Sequence, residues 1–206
     1  MKNVVILTAT KNSNYNLGKS LLELIDQNNY NVNLSSLEDF NLPLFLASDN
    51  ETLKQKHLSD IRKITDLLVK SDGLIICAPE YNGSIPPIIT NAIAWISVTT
   101  EYWRDAFSNK IGLIAASSGG PAIKYNTAMK NQLEHLGMVV IPRMISVSSS
   151  NPFKKESASK ILKSIDKLCS ELINVSFPEL FPRAPGIINL LRLKYSSWSR
   201  IVSLFK

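Results

Sequence analysis

Short apolar runs that recur along the chain, each followed by a stripe of helical period, constrain its fold more than any other feature. Asn3-Val-Val-Ile-Leu-Thr8, Leu74-Ile-Ile-Cys-Ala78 and Lys110 to Ser117 are apolar nearly throughout, as strands of a parallel sheet covered on both faces must be. Between them the apolar residues change period. Leu17, Leu21, Leu22, Leu24 and Ile25 form one helical stripe, and Leu53, His57, Leu58, Ile61, Ile64, Thr65 and Leu68 form a second over about Glu51 to Lys70. Pro86-Pro87 opens a third helix with Ile88, Ile89, Ala92, Trp95 and Ile96 on its buried side. Pro121 opens a fourth, carrying Ala128, Met129, Leu133 and Leu136 and ending at Gly137, where a left-handed cap is wanted. Asn31 to Leu37 supplies another strand and Glu38 to Asn50 a loop. Met138 to Ile141 with Met144 to Val147 makes a fifth strand, interrupted at Pro142-Arg143. Asn151-Pro152 starts a last helix, with Ile161, Leu162, Ile165, Leu168, Cys169, Leu172 and Ile173 on one side. Strand and helix alternate five times, which predicts an α/β fold with one parallel sheet wrapped on both faces.

Composition narrows the class. A chain of 206 residues, 45% hydrophobic, buries a real core as one domain, and it lacks the run of ~20 apolar residues that a membrane span requires. Cys77 and Cys169 stand far apart without CxxC spacing, which argues against a disulfide scaffold or a zinc site and fits a reducing compartment. The start, MKNVVILTAT, turns polar too soon for a secretory leader, so Met1 is expected to begin the fold and the protein to be cytoplasmic. The net charge of +6 is uneven: Arg183, Arg192, Lys194, Arg200 and Lys206 lie in a tail without Asp or Glu, leaving 18 basic against 17 acidic residues in residues 1–179. The near-neutral body does not point to nucleic acid. We expect a domain over residues 1–178 and a basic amphipathic extension over 179–206. A helix over Ile187 to Phe205 puts Ile187, Leu191, Tyr195, Trp198, Ile201, Val202 and Phe205 on one side. That stripe suits docking within an oligomer, or peripheral contact of residues 187–206 with an anionic membrane.

In an open parallel sheet, ligands bind beyond the carboxyl ends of the strands, where strand order reverses. Three loops leave such ends: Thr8 to Asn16, Pro79 to Ile85 and Ser117 to Pro121. The first, TATKNSNYN, leads into a helix N-terminus, whose free N–H groups suit a phosphate; equally, Asn14 or Asn16 caps the helix and the rest is a solvated turn. GxGxxG and GxxxxGK[ST] are absent, which excludes a dinucleotide fingerprint and a P-loop. In Ala78-Pro-Glu-Tyr-Asn-Gly-Ser-Ile-Pro86, a turn sets an aromatic face beside backbone amides, which suits a flat heteroaromatic ring.

That segment resembles the PEYN(G)S(I)P signature of the NADPH-dependent FMN reductases, which include azo, quinone and chromate reductases. Asn91-Ala-Ile-Ala-Trp95 is similar to the NAIDW that often follows. Ala116-Ser-Ser-Gly-Gly120, then a helix ending in Leu136-Gly137 and a strand ending at Pro142, is similar to the family's third flavin loop. The resemblance runs from residue 3 to about 175. It implies a flavodoxin-like three-layer sandwich with a five-stranded parallel sheet in the order 2-1-3-4-5, FMN as cofactor and NADPH or NADH as hydride donor. It further implies that FMN phosphate lies on Thr8, Thr10, Lys11, Asn14, Tyr15, Asn16 and Leu17. The ring would lie between Pro79, Glu80, Tyr81, Asn82, Gly83 and Ser84 on one side and Ser117, Ser118, Gly119 and Gly120 on the other. Backbone N–H groups near Asn82 and Gly83 would face the ring edge, and no side chain is required as catalytic acid or base. Lys11 stands where the family commonly has Arg, keeping the charge and losing the planar fork, and Asn14 where it has Ser.

The implied activity is transfer of hydride from a nicotinamide through FMN to a small acceptor such as a quinone, azo compound, free flavin or metal oxyanion, in a homo-oligomer, a dimer or tetramer. An FMN-binding electron carrier or interaction protein without nicotinamide turnover is the alternative, although carriers of this fold usually show a strongly acidic face. A third reading is a scaffold with an empty pocket. Among single residues, Glu80 reads as structural or at a subunit contact, and His57 and His135 as packing or surface residues. Cys77 reads as a core thiol. Trp95, Tyr102, Trp103 and Phe107 read as pocket wall or dimer seam, the resemblance favouring the seam. Ser117-Ser118 lacks the GxSxG elbow of a serine hydrolase.

Overall fold

Parallel strands joined through helices dominate the computed structural model, which describes residues 1–163. The order of elements is β1 Lys2–Thr8, α1 Ser13–Leu22, β2 Tyr30–Ser36, α2 Asn50–Lys56, α3 Leu58–Val69, β3 Gly73–Cys77, α4 Pro87–Ser97, β4 Ile111–Ser117, α5 Ile123–His135, β5 Val139–Val140 and β6 Ile145–Val147. A further helix starts at Lys155, three residues beyond Pro152. The strand order is β2-β1-β3-β4-β5, with β6 also on β4, and every pairing is parallel. β5 pairs with the start of β4 at Ile111 and Gly112, and β6 with its end at Ala115 to Ser117. They are the two halves of the interrupted fifth strand, and Pro142-Arg143 falls in the gap. The sheet is the flavodoxin-like one implied by the resemblance. Cys169 and the 179–206 extension lie outside the described residues.

Two-residue alternation sends the strand side chains to opposite faces. Val5, Leu7, Leu74, Ile76, Ile114 and Ala116 join one core with Ile64 and Leu68 of α3, Ile89, Ala92, Ile93 and Ile96 of α4, and Tyr125, Met129 and Leu133 of α5. Ile6 points the other way, toward α1. There Gly18 brings helix and sheet together, because a β-carbon on it would lie 2.9 Å from Leu34 Cδ1 and 3.3 Å from Ile6 Cγ2.

Three sequence expectations are corrected. The stripe over Glu51 to Lys70 is two helices, broken at His57, whose φ of −112° and ψ of 16° leave the helical region. α1 stops at Leu22, where 3₁₀-type bonds from Leu24 to Leu21 and from Ile25 to Leu22 tighten the chain, so Leu24 and Ile25 are only half-buried. Trp95 and Phe107 are core residues, not a seam. Trp95 and Asn91, four apart on α4, hold the loop after β2: Trp95 Nε1 donates to Pro43 O at 2.7 Å, Asn91 Nδ2 to the same oxygen at 2.9 Å, and Phe45 N–H to Asn91 Oδ1 at 2.8 Å. Phe45 meets the Trp95 ring edge-on at 5.1 Å. The first and last residues of the NAIAW segment are thus a loop clamp. Trp95→Phe keeps most of the packing and the Asn91 bond, so we expect a loss of about 1–2 kcal/mol in urea unfolding; an unchanged midpoint would show that Asn91 suffices.

Candidate functional site

Strand order reverses between β1 and β3, so the loops leaving their carboxyl ends part and open a crevice. Ladder bonds continue past the strands and fix where each loop begins. Ala9 N–H donates to Cys77 O at 2.9 Å, Ala78 N–H to Ala115 O at 3.1 Å and Ser118 N–H to Val147 O at 3.0 Å.

Side chains then tie the three loops together. Asn14 is fully buried; its Nδ2 donates to Ser117 O at 2.9 Å and its Oδ1 accepts from Ser117 N–H at 2.8 Å. One amide on α1 therefore closes both backbone groups at the end of β4. Ser118 Oγ accepts from Glu80 N–H at 3.3 Å, and Glu80 Oε2 accepts from Tyr125 N–H at 3.0 Å. Tyr125 is the third residue of α5, so Glu80 satisfies a first-turn donor from a distant loop, where a carboxylate also suits the helix dipole. That is the structural role expected of it.

Neither Asn14 nor Asn16 caps α1, contrary to one reading of the sequence. Asn12 occupies the N-cap position without a side-chain bond to the helix, and no acidic residue lies in the first turn. Its Oδ1 accepts instead from Thr10 Oγ1 at 2.6 Å, and Thr8 Oγ1 donates to Thr10 O at 3.1 Å. The hydroxyls of Thr8 and Thr10 thus shape the loop, and no side chain caps the first turn of α1. Leu17 is buried on the sheet side of the helix, Tyr15 half-buried and Asn16 exposed.

Lys11 is exposed and its ammonium pairs with Asp39, while its N–H donates to Glu38 Oε2 at 2.6 Å. The hydrogen bond from Lys11 holds the Asp39 carboxyl below its ordinary value, helped by the Ser36 N–H, and Asp39 holds Lys11 above its own. Glu38 and Asp39 were missed in the sequence, although Ser36-Leu-Glu-Asp39 has the spacing of a capping box and forms one.

The second loop is a tight turn. Tyr81 N–H donates to Ser84 O at 3.2 Å and Ser84 N–H to Tyr81 O at 2.9 Å, with φ of 50° at Asn82 and 70° at Gly83. Two central residues with positive φ define a type I′ turn, for which Asn-Gly is the preferred pair. Among the described residues, the N–H groups of Asn82 and Gly83 have no partner. Pro79 is buried beneath them, Tyr81 and Ser84 are exposed. In the third loop a β-carbon on Gly119 or Gly120 would meet nothing within 4 Å, so open space lies beside the backbone there.

Cys77, at the end of β3, is buried and burial pushes its thiol up to about 12, which makes it an inert core residue. The Tyr102 and Trp103 rings meet at a tilt of 52° with centroids 5.9 Å apart, and Trp103 lies 5.5 Å from the His135 ring. His135 ends α5, so this cluster sits at the far end of that helix from the three loops. No helix among the described residues is long and apolar enough to cross a membrane.

These braced loops at the carboxyl edge of a doubly wound sheet define a nucleotide-binding crevice of the flavodoxin kind. Residues 1–152 match the model of the NADPH-dependent FMN reductases, and the chain belongs to that family, as the PEYNGS segment implied. FMN as cofactor comes with it. The chain is 29% identical over 110 residues to an NADH:(hydroxy)cinnamate reductase subunit of Vibrio ruber, covering 53% of this chain and 50% of that protein. It is 25% identical over 79 residues to an NADPH azoreductase of a Bacillus species, covering 38% and 39% of the two. It therefore spans half or less of the curated relatives it matches. In structure it is similar to FerB, a flavoenzyme NAD(P)H:(acceptor) oxidoreductase of Paracoccus denitrificans, with a TM-score of 0.63 at 23% identity, covering 81% of this chain and 94% of that one.

The residues present fit FMN. An uncapped helix N-terminus with no acidic residue in its own first turn accepts a phosphate. Unpartnered N–H groups in a type I′ turn and open space beside Gly119 and Gly120 accept a ring edge and its face.

Proposed function

We propose that this chain is an FMN-dependent NAD(P)H oxidoreductase acting on a small acceptor such as a quinone, an azo compound, free flavin or a metal oxyanion. The observation that carries the reading is the brace itself. Asn14, Ser118, Glu80 and Thr8 turn their polar atoms into the scaffold, while the first turn of α1 and the N–H groups of Asn82 and Gly83 stay available. Preorganised donors of this kind stabilise negative charge without rearranging.

In this reading Thr8, Thr10, Lys11 and Asn14 to Leu17 build the phosphate end, with α1 backbone amides as the donors. Pro79 to Ser84 and Ser117 to Gly120 build the two walls of the ring end. Held by these residues, FMN would supply hydride-transfer chemistry between NAD(P)H and the acceptor, with one proton from solvent. The Asn82-Gly83 amides hold negative charge at the ring edge, and no side chain has to shuttle a proton. Assembly as a homo-oligomer and a cytoplasmic location complete the reading, with residues 187–206 either docking within the oligomer or meeting a membrane surface.

The test is optical. Protein purified with added FMN is expected to be yellow, and its visible absorption to bleach promptly when NADPH or NADH is added without oxygen, returning when a quinone follows. A colourless protein that takes up no FMN would sink the reading. A yellow one that neither nicotinamide bleaches would leave an electron carrier.

A further inference from the structure

The charged side chains of the three loops, Lys11 and Glu80, both have partners, and a cation beside the second loop has none among the described residues. Lys11 pairs with Asp39, and Glu38 and Glu80 accept backbone N–H groups. Lys124, second residue of α5, is exposed and makes no hydrogen bond or ion pair among the described residues. It lies against the second loop: a β-carbon built on Gly83 would sit 3.0 Å from Lys124 Cδ and 3.6 Å from its Nζ. Two exposed apolar side chains belong to the same two elements, Ile123 at 65% on α5 and Tyr81 at 45% in the turn that holds Gly83. An unpaired ammonium at a turn whose own elements expose apolar side chains is complementary to a flat aromatic molecule that carries a negative group.

Resting on the proposed FMN chemistry, we infer that Lys124 selects acceptors: the site prefers planar aromatic acceptors bearing a carboxylate or sulfonate, whose charge meets Lys124 at the turn rim. The phosphate of FMN does not compete for this cation, because the donors suited to it are on α1, in the first loop. The ring edge has the Asn82 and Gly83 amides. The electron balance is that of the parent reaction. For a sulfonated quinone, hydride from NAD(P)H and one solvent proton convert the two carbonyls to two hydroxyls, and the sulfonate remains a spectator that only binds.

The experiment compares a sulfonated naphthoquinone with its neutral parent in the FMN-loaded wild type and in Lys124→Met, Lys124→Glu and Lys124→Arg, after FMN affinity has been measured for each. A second readout needs no turnover: naphthalene sulfonate is titrated into the oxidised holoprotein and binding is followed by the flavin difference spectrum. We expect Lys124→Met to raise KM and the naphthalene sulfonate Kd about 5- to 10-fold, the size of one partly desolvated charge contact. Lys124→Glu should do more and Lys124→Arg should restore wild-type values. KM for the neutral quinone should stay within about twofold, as should the Kd for FMN. Equal effects on both quinones would overturn the inference, as would a shift in flavin potential with unchanged discrimination, which would place the ammonium on the ring instead. Wild-type protein that binds no FMN would overturn the proposed function and this inference with it, whereas normal FMN binding without discrimination would overturn this inference alone.

Discussion

Replacing Asn14 with Ala is expected to unfasten the crevice and to destabilise the whole domain by about 2–4 kcal/mol, because two buried hydrogen bonds vanish and both backbone groups of Ser117 lose their partner. The loss should reach FMN as well. Asn14 joins the loop that meets phosphate to the loop that walls the ring across 103 residues of sequence. Letting them drift apart by even one relaxed hydrogen bond is worth about tenfold in Kd. Asn14→Asp sharpens the test. Its carboxylate can still accept from Ser117 N–H but faces Ser117 O with no donor, so burial beside a carbonyl raises its folded pKa above the unfolded value. The stability of that variant should therefore improve on acidification relative to wild type, as a protonated carboxyl regains the donor. Chemical unfolding and flavin fluorescence titration measure both effects. A loss under about 0.5 kcal/mol with unchanged FMN affinity would show that Ser117 is held by its strand alone.

How such a clamp escaped the sequence is instructive. The strands were legible because burial on both faces leaves a nearly continuous apolar run, and Leu74 to Cys77 or Leu113 to Ala116 can hardly be anything else. The Asn82-Gly83 turn was legible too, since positive φ at two successive positions selects that pair. Asn14 was not, because Asn before a helix reads as a cap and nothing local says that its amide reaches Ser117. The same holds for Glu80, which accepts from a helix N–H 45 residues further on, and for Asn91 and Trp95, whose spacing announces one helical face but not the Pro43 carbonyl that they share. The helix break at His57 was hidden for a different reason. The apolar spacing continues across it, since periodicity reports which side faces the core and not whether the backbone between is unbroken. Long-range polar ties are set by topology, and a periodic pattern carries no record of them.

Lys110 is another such tie, and it makes the protein's stability depend on alkaline pH. In the sequence it is merely the residue before an apolar strand. In the fold it is 6% exposed, and its ammonium donates to Leu68 O, to Val69 O at 3.0 Å and to Ser71 Oγ at 3.4 Å. It thereby closes the C-terminal carbonyls of α3, where a positive charge also suits the dipole. Burial pushes its pKa down to about 8 from the ordinary 10.5, against the pull of Asp72 and Asp105. The sign of the effect follows from proton counting. Below pH about 8 both folded and unfolded chains hold this proton, so the group adds no slope. From there to about 10.5 the unfolded chain still holds it and the folded one has let it go, so stability rises with pH, and above 10.5 the slope ends. Integrated over the window, the gain is about 3 kcal/mol relative to neutral pH. Lys110→Met keeps the stem and removes both charge and donors. At neutral pH two changes oppose each other, since the carbonyls of the last α3 turn lose a partner while the cost of burying an ammonium disappears. The pH dependence carries no such ambiguity: the gap between wild type and variant should widen in favour of wild type as pH rises through the window. Urea unfolding of both proteins at steps across it would measure the gap, and parallel curves would mean that the Lys110 ammonium is better hydrated than its burial implies.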